Sequence, residues 1–216
     1  AIMFSLPNLD QPKVPQINSS YEELFKNHPY GTQTTIGTGE HLKNPSMVKI
    51  HEYFKTYYVP NNIAICISGD INPDELIVLI DKYFGAWKGR DVPAFTFKPE
   101  TPIASPVKLN VSGPQSESVN IGFRLNGADS RDVLVVELID GMLNNGQAGL
   151  IDLNLLNQQK VLAAGSYVNI MKDYATFMMY GKPREGQTLE EVEHLLLKQL
   201  SDIGNGNYDP ELIDAV

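Results

Sequence analysis

The apolar positions of this chain change period along its length, and those changes divide it. Residues 1–19 show no period: Pro7, Pro12 and Pro15, with the turn formers Asn8 and Asn18, read as an extended arm. Ser20 then opens a Ser-x-x-Glu box with Glu23, the signature of a short helix that ends before Pro29. The stretch "NHPYGTQTTIGTGEH" (27–41) follows as loop or edge strand, so residues 1–42 form one arm-like segment. In "NPSMVKIHEYFKTYYVPNN", Asn44 is a cap, Pro45 the first helical residue, and Met47, Ile50, Phe54, Tyr57 and Tyr58 one helical stripe that Pro60 stops. "NIAICISGD" is a nearly continuous apolar run of strand length, which predicts a strand covered on both faces. "NPDELIVLIDKYFG" is again helical, with a cap, a proline and acids in the first turn and Gly85 at the end. Residues 43–90 are therefore helix, strand, helix.

Between residues 91 and 106 the prolines Pro93, Pro99, Pro102 and Pro106 replace any period, which marks a linker. Beyond it the period becomes two. "VKLNVS" and "SVNIGFRL" alternate strictly, with Val107, Leu109 and Val111, then Val119, Ile121, Phe123 and Leu125, on single faces. "DSRDVLVVELIDGMLNN" and "AGLIDLNLLNQQ" read as helices around a glycine-bearing turn, and "KVLAAGSYVNI" with "YATFMMYGKP" as a hairpin turning near Lys172 and Asp173. A Thr-x-x-Glu box at Thr188 and Glu191 opens a last long helix that closes on Gly204. Residues 107–216 are thus two strands, two helices, two strands and one helix. That clustering predicts an α+β fold, helices packed on a mostly antiparallel sheet, rather than an alternating parallel one.

Composition narrows the function. A chain of 216 residues buries roughly 70–75% of its unfolded surface, enough for a real core. Its formal charge of -9 argues against nucleic acid and against anionic membranes, both of which need a concentrated basic face. No apolar run approaches the roughly 18 residues of a membrane span. The first residues lack the basic start and long apolar stretch of a signal peptide, and the compartment stays open between cytoplasm and periplasm. Cys66, the sole cysteine, has no partner for an intrachain disulfide and sits in an apolar run where a buried, inert thiol is expected. A start without Met and the ending "DPELIDAV", which reads as the first turn of a helix, lead to the expectation of a piece of a longer polypeptide.

Three segments together resemble one family. They are "HPYGTQTTIGT" (28–38), "LKNPSMVKIHEYFKTYYVPNNIAICISGDINPDELIVLIDKYFGAW" (42–87), and the order of strands and helices after the linker. The family is the pitrilysin or insulinase type of zinc metallopeptidases, with the processing peptidases and their inert relatives. The resemblance implies layered α+β domains that close in pairs around a chamber for unfolded peptides. It also implies a catalytic domain with HxxEH on a helix, whose histidines bind zinc and whose glutamate activates water. Residues 28 to about 90 are similar to the tail of such a catalytic-type domain, and 107–216 to the first part of the following domain, which the family calls inactive.

This chain departs from the pattern where the chemistry would be. None of its four histidines, His28, His41, His51 and His194, heads an HxxEH, and residues 1–19 hold no glutamate to serve as the separate third zinc ligand that the resemblance implies ahead of the HPYG segment. His28, Glu40 and His41 do not offer the regular spacing of a zinc site, because adjacent residues diverge on a strand. The expectation is therefore no catalytic residue, no metal ligand and no cofactor in the chain itself, with zinc in an intact catalytic parent or partner. His51 with Glu52, and Glu190, Glu191, Glu193 with His194, read as solvated helix faces, and Asp70 and Asp74 as helix capping.

What remains for function is the substrate side. The resemblance points to His28 and Tyr30 in the HPYG segment, and to Asn145, Gly146, Gln147 and Gly149 in a turn that is glycine-rich in processing-peptidase relatives. The arginine those relatives carry in that turn is missing here. The expected role is a non-catalytic wall of the peptide chamber; the alternative is an inert subunit that pairs with an HxxEH-bearing chain. Expected partners are peptide, the other domains or that subunit, and further copies of the chain through uncovered faces.

Overall fold

A computed structural model describes residues 15–33, 37, 42–112, 116–146, 148–214 and 216. The described residues fall into two compact units, one within residues 33–99 and the other made of 15–32 together with 100–216. The chain thus leaves the larger unit after Thr32 and returns to it at Glu100.

The larger unit is built on a three-stranded antiparallel sheet of β1 (Val119–Asn126), β3 (Tyr174–Lys182) and β2 (Ala163–Ile170), in that order. β2 and β3 form the expected hairpin, closed by a hydrogen bond from Met171 N to Tyr174 O across Lys172 and Asp173. β1 pairs with the far side of β3, with Phe123 opposite Phe177. Alternation along β3 sends Phe177 and Met179 to one face and Thr176 and Met178 to the other, and every one of them is buried.

The first face carries the main core. Helix α5 (Arg131–Leu143), capped by the Ser130 side chain on Asp132 N, lays Val136, Met142 and Leu143 on it. A short π-helical turn (Asp152–Leu156) adds Leu155, and α6 (Leu189–Gly204) adds Val192 and Leu196. The capping box read at Thr188 and Glu191 is formed with both of its reciprocal bonds. Gly181 is needed here for close approach: a Cβ at that position would stand 2.5 Å from Val192 Cγ1. A last turn, α7 (Glu211–Asp214), seats Leu212 against the same core.

The second face is covered by residues from before the smaller unit. Helix α1 (Pro15–Leu24) and the short α2 (Pro29–Thr32) bring Leu24 and Phe25 onto Met178. The arm expected through residue 19 is therefore helical from Pro15 onward, and Ser20 lies inside the helix rather than capping it. Proline is compatible with a first helical position, and Tyr21, Leu24 and Phe25 give the helix an apolar ridge to anchor on the sheet. Residues 1–14 of the expected arm lie outside the described residues.

In the smaller unit, α3 (Met47–Tyr57) starts two residues later than the sequence suggests, with Ser46 rather than Asn44 accepting from a first-turn amide, that of Lys49. Helix α4 (Pro73–Phe84) has the expected cap, Asn72 accepting from Asp74 N, and acids in its first turn. The strands expected at "NIAICISGD" and "VKLNVS" are not formed. Neither segment pairs with a neighbouring strand among the described residues. Ile63, Ile65 and Ile67 are exposed, and so is Cys66, against the expectation of burial. An apolar run becomes a strand only where a second strand takes its N–H and C=O groups. No helix among the described residues is long and apolar enough to cross a membrane.

Candidate functional site

The HPYG segment is held by groups from three other parts of the larger unit. Glu100, whose side chain is 2% exposed, accepts at Oε1 from the backbone N–H groups of Asn27 (2.7 Å) and His28 (2.8 Å). Its other oxygen faces the Arg124 guanidinium at 3.8 Å, and its own backbone N–H donates to the Tyr174 hydroxyl at 3.0 Å. Arg124, from β1, donates to the carbonyls of Leu24 and Thr101 and lies over the Tyr174 ring. One buried carboxylate thus ties the turn, the linker and the sheet together. Charge-assisted bonds from backbone N–H groups offset the cost of burying it.

His28 is 1% exposed. It sits within an aromatic group, 4.0 Å from the Tyr30 ring and 5.5 Å from that of Tyr174, with Phe25 packed edge-on to Tyr30. Its Nδ1 accepts from Tyr30 N at 3.2 Å and its Nε2 lies 3.4 Å from Asp173 Oδ2, which the Tyr30 hydroxyl also approaches at 3.4 Å. Tyr30 of this segment and Asp173 of the hairpin turn keep side-chain surface for a ligand, while the His28 ring is inside.

The glycine turn lies at the end of α5, which packs on the opposite face of the sheet, so it is not brought together with His28 and Tyr30. Asn144 Nδ2 donates to Ser166 O on β2. Asn145 Oδ1 accepts from Ala148 N at 2.8 Å and Gly149 N at 3.0 Å. The buried Asp152 carboxylate accepts from Gly146 N at 3.1 Å, and Gly146 has a φ of 83°, a left-handed conformation that suits glycine. Gln147 lies outside the described residues. Burial pushes the nearby Asp140 carboxyl above the usual carboxylate range, and the Ser166 hydroxyl pulls it only partly back. Asp140 Oδ1 and Ser166 Oγ are buried and make no full hydrogen bond among the described residues.

Among the described residues, no group of three or more His, Cys, Asp or Glu side chains could hold a metal ion. His51 is on α3 and His194 on α6, while His41 and Glu40 lie outside the described residues. An open hollow of about 620 Å³ runs beside the start of α6 and is lined by Arg184, Glu190, Glu191 and His194. Its Glu191 is already engaged in the capping box.

Sequence reasoning missed Glu100, Arg124, Asp173 and Tyr174. The signals were slight: one acid between Pro99 and Thr101 in a linker, and one arginine on the polar side of an alternating strand, a side that ordinarily faces water.

A helix layer on an antiparallel sheet, with a buried polar clamp on its other face, defines an α+β domain. Its family is given by sequence: the chain belongs to that of the peptidase M16 inactive domain, whose model matches residues 47–216. Among curated proteins, it is 20% identical to the zinc protease PqqE of Helicobacter pylori, over 91% of this chain and 45% of that protein. It is 23% identical to the uncharacterized zinc protease YmxG of Bacillus subtilis, over 83% of this chain and 43% of that one. The chain therefore spans under half the length of these relatives. Among solved structures, a protease from Helicobacter pylori matches with a TM-score of 0.72 at 20% identity, over 92% of this chain and 50% of that one. The periplasmic protease PqqL of Escherichia coli matches with a TM-score of 0.62 at 16% identity, over 92% and 23%. At these identities the likeness speaks for the fold.

Proposed function

We propose that this chain is a non-catalytic part of a pitrilysin-like zinc metallopeptidase, forming a wall of the chamber in which an unfolded peptide lies while an HxxEH centre elsewhere hydrolyses it. The observation that carries the reading is the match of residues 47–216 to an inactive peptidase domain, in a chain whose own sequence has no HxxEH. Zinc would then belong to another domain of the same polypeptide or to a partner subunit. The short span of the chain relative to its zinc-protease relatives supports either arrangement.

Peptide would be held mainly through its backbone. β1 and β2 are the outer strands of the sheet among the described residues, and an added strand gains affinity from main-chain hydrogen bonds while reading little sequence. Tyr30 and Asp173 on one face, and the Asn145 to Gly149 turn beyond the other, are the side-chain contacts this reading assigns. Fluorescence anisotropy of a labelled unfolded polypeptide with the purified chain tests it: saturable binding that a second unfolded peptide competes away is expected. Absence of binding to every unfolded peptide tried would remove the chamber-wall role.

A further inference from the structure

Three Asn-Gly pairs occur in the chain: Asn126-Gly127, Asn145-Gly146 and Asn205-Gly206. Such pairs are chemically labile, because a glycine nitrogen is unhindered by a Cβ and can attack the preceding side-chain amide. Their surroundings differ. At Asn145 the attacking nitrogen, Gly146 N, donates its proton to Asp152 Oδ2 at 3.1 Å, within the reach required of a general base. The amide oxygen that must become negative, Asn145 Oδ1, already accepts two backbone N–H groups, from Ala148 at 2.8 Å and Gly149 at 3.0 Å. That is the donor pair of an oxyanion hole. Asp152 is 7% exposed, so its carboxylate is fixed beside the nitrogen rather than dispersed in water.

The other two pairs lack this set. Gly206 N donates to the carbonyl of Ile203, which cannot take a proton. At Asn126 the carboxylate of Asp132 holds the side-chain NH₂, the leaving group, at 2.8 Å.

We propose that Asn145 is a self-modification site at which the fold promotes succinimide formation and conversion to aspartate and isoaspartate. Gly146 N bonds to Asn145 Cγ and passes its proton to Asp152. The oxyanion on Oδ1 is held by the Ala148 and Gly149 amides. As it collapses, the Cγ–Nδ2 bond breaks and ammonia leaves with the proton that Asp152 returns. Water then opens the ring at either carbonyl, so one water is consumed and one ammonia released, with no oxidant or reductant. The product puts a negative charge in the turn, and in the isoaspartyl form an extra backbone methylene.

The test compares the full chain folded and in concentrated urea, at one pH and temperature, reading each Asn-Gly pair by peptide mapping and isoaspartate-specific methyl labelling. Folding is expected to accelerate loss of Asn145 by at least about tenfold, a modest share of what a positioned base and two oxyanion donors supply. Asn126 and Asn205 should be slower folded than unfolded. An Asn145 that reacts no faster in the folded chain overturns the proposal. Asp152→Asn, with folding checked by circular dichroism, should remove the Asn145 acceleration and leave the other two rates unchanged. A folded variant that keeps the wild-type rate at Asn145 equally overturns it. Should that variant fail to fold, the folded-against-urea comparison on the unmodified chain decides.

Discussion

At the scale of single residues, Glu100 is the position on which most of the HPYG geometry converges. Glu100→Gln keeps its volume but weakens the acceptor shared by Asn27 N and His28 N and leaves the Arg124 charge without its carboxylate. The expected loss is about 2 kcal/mol in urea unfolding, the range for a buried charge-assisted network that loses one partner. An unchanged midpoint would show the clamp to be incidental. Asp140 gives a prediction in pH. Its folded pKa is raised by burial, so the folded state holds the proton more tightly than the unfolded one. Its contribution is therefore complete below the unfolded carboxylate pKa of about 3.9 and is lost as pH rises through the folded value. Asp140→Asn should flatten the fall in stability from about pH 4 upward and make the chain more stable than wild type near neutrality. Equal slopes in the two proteins would refute this. Neither residue was legible as special in the sequence: Glu100 stood in a proline-rich linker, and Asp140 lay unremarked within a helical segment. His28 was legible as part of a loop or edge strand, but its burial was not, because the partners that enclose it come from residues 100 and 173–174.

At the scale of elements, local signals succeeded where they were complete within a few residues. The Thr188 and Glu191 box, the Asn72 cap and the hairpin turn at Lys172 and Asp173 all stand where the sequence puts them. Strands without a partner failed, since "NIAICISGD" and "VKLNVS" carry the right pattern but nothing among the described residues to pair with. The polar side of β1 was misjudged for the opposite reason: a helix from far earlier in the chain covers it. The seating of α6 on the sheet depends on Gly181. Gly181→Ala puts a methyl 2.5 Å from Val192 Cγ1, a fully buried and branched side chain with little room to turn. A loss of about 1–3 kcal/mol is expected, the usual cost of overpacking, with amide exchange in α6 speeding up first. Wild-type stability would mean the helix can shift outward freely.

At the scale of the whole molecule, the smaller unit stands out for what it leaves uncovered. Of the stripe the sequence predicts for α3, Met47, Ile50, Phe54 and Tyr58 are exposed and Tyr57 is half-buried, and Ile77, Leu79 and Tyr83 on α4 are exposed as well. Apolar faces of this extent mark surfaces that another body covers. Self-association of the isolated chain is therefore expected, with the average mass by light scattering rising with concentration. A monodisperse monomer at high concentration would contradict it.

The central claim is that this chain handles peptide without cutting it. The most direct measurement is turnover of an unfolded reporter polypeptide by the purified, tag-free chain with added zinc, with and without a chelator. No cleavage above the buffer rate is expected in either case. Zinc-dependent cleavage that the chelator abolishes would contradict it and place a metal centre in this chain.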